Sequence, residues 1–435
     1  MFNPLAFIEE KREGGRHEEA ALRAFVSAVL DGSVADYQAV AWLMATFFRG
    51  LDDEELRAFT LALADSGQRV ILPAGLNAVD KHSTGGVGDK TTLVLVPLVA
   101  ACGLPVAKLS GPGLGFTGGT VDKLEAIPGF QSHLPLDRFI SQVESIGCAV
   151  SGHSLDLAPA EGRFYALRDV TATVPSLPLI ASSIVSKKLA GGATSFVFDV
   201  KCGDGAFMTD IDGARRLART LVDLSSSLGR RSLAFVTDMD QPLGRWAGNA
   251  SEVAEAIDVL QGKGPADTRE LCLLLGGAMV LLGGRAATLE EGIDTCREAL
   301  DGGKALEKMA RLLEAQGASP QILEEPEKSL PRASKVLELR ACRDGYVQRM
   351  AARSVGEAVK IMGGGRMRKE DVIDPSVSVE CCRKRGEAVR AGELVLRLHH
   401  NGGSRLDEAR LLLEKAFVIG DEPHFSPLLL ERVDV

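Results

Sequence analysis

At 435 residues the chain is longer than a single hydrophobic core usually supports, so more than one domain is expected. Hydrophobic residues at 45% and charged residues at 25% give an ordinary globular balance, and a net charge of -9 excludes a broad nucleic-acid-binding surface, which needs basic patches. Glu9 and Glu10 precede any long apolar run and no later stretch is long and uncharged enough to span a bilayer, so neither a signal peptide nor a membrane partner is expected and the protein reads as cytoplasmic.

Residues 1–66 read as helices. The periodic run 36–49 is stopped by Gly50, and Asp52 with Glu55 forms a capping-box pattern ahead of the next helical run. From Val70 onward, short β-type runs at 70–72, 106–109, 148–150, 195–200 and 232–236 alternate with helical runs, which argues for a largely parallel sheet covered by helices. A helix over 178–189, ended by Gly191 and Gly192, is a candidate to pack with the N-terminal helices. Helices fill 250–315, a loop rich in Pro and Glu spans 320–331, and short strands and turns follow to the end. The eight cysteines are scattered without a Cys-x-x-Cys spacing, which fits reduced thiols better than disulfides or a zinc site.

Two glycine-rich loops carry chemistry. The first, Asp80-Lys81-His82-Ser83-Thr84-Gly85-Gly86-Val87-Gly88-Asp89-Lys90-Thr91-Thr92, leads into an apolar helical run, an arrangement that cradles an anion with inward N–H groups, the Lys81 charge and a helix N-terminus. Asp89 stands where a nucleotide P-loop needs glycine and would repel a triphosphate. The bland alternative is a surface turn. The second loop, Ser110-Gly111-Pro112-Gly113-Leu114-Gly115-Phe116-Thr117-Gly118-Gly119-Thr120, has the wrong glycine spacing for a dinucleotide, and no strand–helix–strand unit is expected to start there. Its Ser110 and Thr120 hydroxyls suit an oxyanion.

A third constellation joins Tyr165 and Arg168 to Ile180, Ser183, Ile184 and Lys187, which at i, i+3, i+4, i+7 share one helix face. Apolar side chains beside a hydroxyl and an ammonium suit a planar heterocycle with carbonyls on its edge. Read alone, the same face fits a core stripe with Lys187 reaching solvent better than a ligand site. The histidines His17, His133, His153, His399, His400 and His424 show no partner spacing and read as surface or core.

Together these segments resemble the thymidine and pyrimidine nucleoside phosphorylase family over essentially the full length. The resemblance rests on the 79–89 loop, on Thr117-Gly118-Gly119-Thr120 through Phe130, on Arg168-Asp169-Val170-Thr171-Ala172-Thr173-Val174, on Gly205-Ala206-Phe207-Met208, and on Gly363-Gly364-Gly365-Arg366 with Arg385-Gly386-Glu387-Ala388-Val389 in the tail.

It implies an α/β fold in three parts: a small all-helical domain from 1–66 plus about 160–192, a large α/β domain from about 67–159 plus 193–330 with a mixed or parallel sheet, and a C-terminal α+β subdomain over about 335–435. It also implies a homodimer through the helical domain, closing a cleft on a pyrimidine nucleoside and inorganic phosphate, with no organic cofactor. Phosphate would be held by Lys81, Ser83, Thr92, Ser110 and Thr120. The catalytic groups would be His82, Arg168 and Lys187, with Ser183 also on the base. Leu114, Tyr165, Ile180, Ile184 and Phe207 would form the apolar walls, and Lys108 would contact the sugar, which favours a broad pyrimidine specificity over a strict thymidine one.

Three departures from the family stand out. Pro112 and Phe116 replace an arginine and a histidine of the second loop, so closure would rely on apolar packing by Phe116. Lys90 stands where potassium-binding relatives have threonine, the ion's other partners matching Gly88, Leu243, Trp246 and Glu255. An ammonium donates to the same oxygens, so Lys90 is expected to replace the ion. Two other readings compete: a phosphoribosyltransferase of related fold, for which Asp122 and Glu125 offer a candidate metal pair, and a catalytically altered, non-enzymatic homologue.

Overall fold

The computed structural model describes residues 2–73, 75–113, 115–153, 156–368 and 370–434. The chain opens with helices Pro4–Arg12, Glu19–Asp31, Asp36–Arg49 and Asp53–Ala64. The third ends at Gly50, whose φ of 76° admits no Cβ cheaply, and the fourth starts with the expected reciprocal bonds, Glu55 N–H to Asp52 Oδ1 at 2.8 Å and Asp52 N–H to Glu55 Oε2 at 3.1 Å. Their apolar faces bury Phe25, Trp42 and Phe59 against Phe164 and Leu179 from later in the chain. Helix Leu177–Ala190 packs against Asp53–Ala64 and so joins this helical layer, although its other side lies on the sheet.

The central sheet is built from β1 (Val79–Ser83), β2 (Val106–Ser110), β3 (Cys148–Gly152), β4 (Ser195–Cys202) and β5 (Arg231–Asp238). β1, β4 and β5 pair in parallel, as do β2 and β3. β2 runs beside β1, tied by Val79 N–H to Pro105 O at 3.1 Å. The resulting order 3-2-1-4-5 reverses direction at β1 and β4, the crossover point where ligands settle at the carboxyl ends of parallel strands. Strand Leu429–Val433 returns from the C-terminus to pair antiparallel with β5, making the sheet mixed. Helices Asn249–Leu260, Ala266–Leu282, Leu289–Asp301 and Lys304–Ala315 belong to the α/β layer, packing with helix Thr91–Ala101 and one another. An α+β region follows, with antiparallel strands Lys335–Arg340, Gly345–Met350, Ser378–Cys381, Leu394–His400 and Phe417–Gly420 and helices Ala352–Val359 and Leu406–Glu414.

Three expectations are corrected, two of them here at the level of strands. Residues 70–72 are not a strand: the Val70 N–H donates to Ala190 O at 2.7 Å, at a helix end instead of a sheet. The strand that opens the sheet is β1, hidden in the sequence by Asp80, Lys81 and His82. The third concerns the 320–331 segment, which is not plain loop but contains the turns Pro320–Leu323 and Pro326–Ser329. Among the described residues, no helix is long and apolar enough to cross a membrane.

Candidate active site

Both glycine-rich loops leave the carboxyl ends of neighbouring strands and enter helices, β1 into Thr91–Ala101 and β2 into Thr120–Glu125. Each therefore belongs to a strand–helix–strand unit, and this corrects the expectation for the second loop; β2 and β3 are parallel across helix Leu136–Ile146. The five predicted phosphate residues lie on these two units. Lys81 and Ser83 lie in β1, Ser110 ends β2, and Thr92 and Thr120 lie in the first turns of the two helices.

Lys81 is buried among acceptors: its Nζ lies 2.6 Å from Thr91 Oγ1, 3.6 Å from Asp199 and 3.9 Å from Asp89. The hydroxyl it meets is that of Thr91, the neighbour of the predicted Thr92. Asp89 is held well below the usual carboxylate range: burial would raise it, but Lys81 and Lys201 outweigh that. It is thus a fixed counter-charge for Lys81.

Beneath His82 lies a cationic cluster with one carboxylate. Asp80 accepts from Lys188 Nζ at 2.6 Å and from Lys108 Nζ at 3.2 Å, and Lys108 also donates to the Lys81 carbonyl. Burial, then the charges of Lys188, Lys108, Lys187 and Lys81, push the His82 imidazole well below its ordinary value. Burial likewise brings Lys108 down to about 7, against the pull of Asp80. The Lys188–Asp80 pair fastens helix Leu177–Ala190 to β1 and so brings its neighbour Lys187 towards His82.

On that helix, Lys187 does not simply reach solvent. Its Nζ bonds Glu161 Oε1 at 2.9 Å and Ser183 Oγ at 3.1 Å, and lies 5.1 Å from the Tyr165 ring centre. Ser183 in turn donates to Glu161. Ile184 is buried in the cluster that includes Phe196 and Phe198, with Ile180 packed against it, so these two side chains share in the core-stripe alternative. Arg168 donates to the carbonyls of Leu179 at 2.9 Å, Val174 at 2.7 Å and Thr173 at 3.4 Å, and burial lowers it to about 10, leaving it charged. Phe207 is partly exposed, with its ring 6.1 Å from that of Phe116. Leu114 lies outside the described residues.

Two site residues escape a reading of the sequence. Glu161 is buried and anchors both Ser183 and Lys187; its place one turn before Tyr165 on helix Pro159–Asp169 is the available signal. His153, expected at the surface or in the core, follows β3 directly and donates its N–H to Ser110 O at 3.1 Å. Burial and the charges of Lys187, Lys188 and Lys108 lower its imidazole well below the ordinary value.

Away from this crevice, Lys90 is fully buried and donates to Leu243 O and Trp246 O, each at 2.9 Å, and to Glu255. Burial would lower its pKa, yet Glu255 and Glu252 hold it above the usual lysine range. The Gly88 φ of 76° and the close Leu243 carbonyl leave no room for a side chain there. Asp122 and Glu125 do not form a metal pair: Asp122 accepts from Gly113, Gly119 and Arg366, and Glu125 from Ser132. No group of His, Cys, Asp or Glu among the described residues is arranged to hold a metal ion.

Comparison with known proteins agrees with this arrangement. The Glycosyl transferase family helical bundle domain matches residues 5–67, its a/b domain residues 75–306, and the pyrimidine nucleoside phosphorylase C-terminal domain residues 346–420. A pyrimidine-nucleoside phosphorylase of Geobacillus stearothermophilus is 46% identical over 97% of this chain and 98% of its own. The chain belongs to the pyrimidine-nucleoside phosphorylase family. Another member, from Staphylococcus haemolyticus, is 48% identical over 98% of both chains. Anthranilate phosphoribosyltransferase from Thermus thermophilus shares the fold at a TM-score of 0.59 and 19% identity, covering 71% of this chain and 98% of its own.

Proposed function

We infer that the protein catalyses the reversible phosphorolysis of pyrimidine nucleosides, uridine, thymidine and deoxyuridine among them, to the free base and the pentose 1-phosphate. The observation that supports this reading is the 2.6 Å bond of Lys188 to Asp80, which holds the helix carrying Ser183 and Lys187 against β1, the strand that runs into the first glycine-rich loop. Phosphate held by Lys81, Ser83, Thr92, Ser110 and Thr120 attacks the anomeric carbon as the C–N bond breaks. Positive charge grows on the sugar, and the bonding pair leaves on the pyrimidine. Arg168 and Lys187 stabilise that negative charge at the ring carbonyls, a contribution of about 2.7–4 kcal/mol for each such donor. His82 donates a proton or a hydrogen bond to a base oxygen, and the departing base takes up one proton to leave as the neutral pyrimidine. Lys108 contacts the sugar, and Tyr165, Ile180, Ile184, Leu114 and Phe207 wall the base. Closure of the helical unit, 1–66 with 160–192, on the α/β unit aligns the two substrates.

We assign the enzyme to the cytoplasm, in keeping with its free cysteines, and to a homodimer. We further assign the Lys90 ammonium the place of a monovalent cation between Leu243, Trp246 and Glu255. A phosphoribosyltransferase reading has less support, because the carboxylates it would use on a metal, Asp122 and Glu125, are engaged by Arg366 and Ser132. The test is release of free base from uridine, thymidine and deoxyuridine, followed by ultraviolet absorbance with and without inorganic phosphate. Release that requires phosphate is expected. Release without phosphate, or none from any of the three, rejects the reading.

A further inference from the structure

The loop between β2 and helix Thr120–Glu125 contains Gly111, Gly113, Gly115, Gly118 and Gly119, and such a sequence samples many backbone states unless something holds it. The C-terminal subdomain grips it at two points. Arg366 Nη1 donates to Asp122 Oδ1 at 2.7 Å, while Asp122 Oδ2 accepts the N–H groups of Gly113 at 2.6 Å and Gly119 at 3.1 Å. Asp122 is 4% exposed, so its carboxylate is sheltered from solvent, while the Arg366 side chain is partly exposed. Asn249 Nδ2 donates to Gly364 O at 3.0 Å and fixes the segment that carries Arg366.

At the second point Arg353, on helix Ala352–Val359, places its guanidinium carbon 4.4 Å from the Phe116 ring centre. The same residue donates its backbone N–H to Asp204 Oδ2 at 2.9 Å and its Nε to Asp204 O at 3.1 Å, in the segment leading to Phe207. Phe116 therefore meets a cation in addition to the Phe207 ring.

We propose that Arg366 and Arg353 are positioning residues for phosphate, the C-terminal subdomain serving as a clasp that pre-orders the 110–120 loop. This rests on the reading that Ser110 and Thr120 hold phosphate. Arg366 acts through Asp122 on the two glycine N–H groups, and pre-ordering removes an entropy cost that phosphate binding would otherwise carry.

The test uses the full-length chain and the variants R366Q, R366K and R353M. Phosphate KM is measured at saturating uridine, uridine KM at saturating phosphate, and inorganic phosphate binding directly by calorimetry without nucleoside. R366Q is expected to raise phosphate KM and Kd about tenfold, within the range that small misplacement of a binding group produces. Uridine KM should stay close to wild type, and R366K should recover much of the phosphate affinity. Unchanged phosphate affinity in a folded R366Q protein overturns the proposal, as does an equal rise in both KM values. If R366Q does not fold, R353M carries the same test with the same outcomes. Because calorimetry needs no turnover, a wild type that binds phosphate but releases no base counts against the proposed reaction and leaves the clasp testable.

Discussion

At the scale of single residues, the chemistry of the site depends on how buried lysines are paired. Lys108 is brought to about 7 by burial although Asp80 lies beside it, whereas the unfolded chain titrates at about 10.4. Between those two values the unfolded chain keeps a proton that the folded chain has released, so the stability contributed at this position rises with pH across the window. Below it both states are protonated and the full penalty of a buried cation remains. K108M should therefore raise the thermal midpoint over wild type more at about pH 6 than at about pH 9.5. An equal gain at both pH values in thermal unfolding would show that Lys108 is not titrating in this range.

Lys90 makes the opposite case, since Glu255 and Glu252 keep it charged. With its ammonium on Leu243 O and Trp246 O, turnover in a sodium-free buffer should be indifferent to added potassium. K90T, which empties the position, should make turnover potassium-dependent. A several-fold activation of the unmodified enzyme by potassium would falsify that assignment. The residue types at this scale were legible in the sequence, and the placement of Lys90 among Leu243, Trp246 and Glu255 followed from the family resemblance. What was not legible was pairing across long separations. Nothing in the local sequence says that Asp80 is shared by Lys108 and Lys188, or that Glu161 holds Ser183 and Lys187.

At the scale of elements, periodicity located the amphipathic helices and the apolar strands, and it failed where burial is achieved by charge pairing. β1 reads as polar because Asp80 and Lys81 are neutralised by partners on β2, β4 and helix Leu177–Ala190, an arrangement that single-strand hydrophobicity does not register. The apolar 70–72 run had the opposite fate, its Val70 N–H being taken by a helix end. Glycines in helices were equally opaque until their neighbours were known. Gly277 of helix Ala266–Leu282 and Gly292 of helix Leu289–Asp301 sit where the two helices touch, so a Cβ on Gly292 would collide with the Gly277 carbonyl. G292A should destabilise the folded state by about 1–3 kcal/mol, because overpacking outweighs the better helix propensity of alanine. Chemical denaturation measures this directly; a neutral or stabilising G292A would mean that the helix pair relaxes at little cost.

At the scale of the whole molecule, the helical, α/β and α+β parts match what the family resemblance implied, and we propose an assembly from what the helical layer leaves outside. On helix Asp36–Arg49, Tyr37 and Phe48 are 77% and 76% exposed, and an eleven-residue separation returns to nearly the same face of a helix. Ala41 is exposed and Met44 half-buried between them, so a continuous apolar stripe runs the length of the helix, and Leu5 on the adjoining helix Pro4–Arg12 is exposed as well. An apolar stripe of this length on the outer side of a domain otherwise closed around Trp42 suits a second copy of the same surface, since a two-fold interface brings like patches together. The double variant Y37E/F48E places like charges opposite one another across such an interface and leaves the Phe25–Trp42–Phe59 core intact. Sedimentation velocity should show a dimer for the wild type and a monomer for the variant, with the helical content of the two unchanged. A wild type that sediments as a monomer, or a variant that stays dimeric, would place any interface elsewhere. If the cleft closes by motion of the helical layer against the sheet, and the proposed dimer holds that layer as the fixed side of the hinge, the monomeric variant should also lose turnover more than substrate affinity.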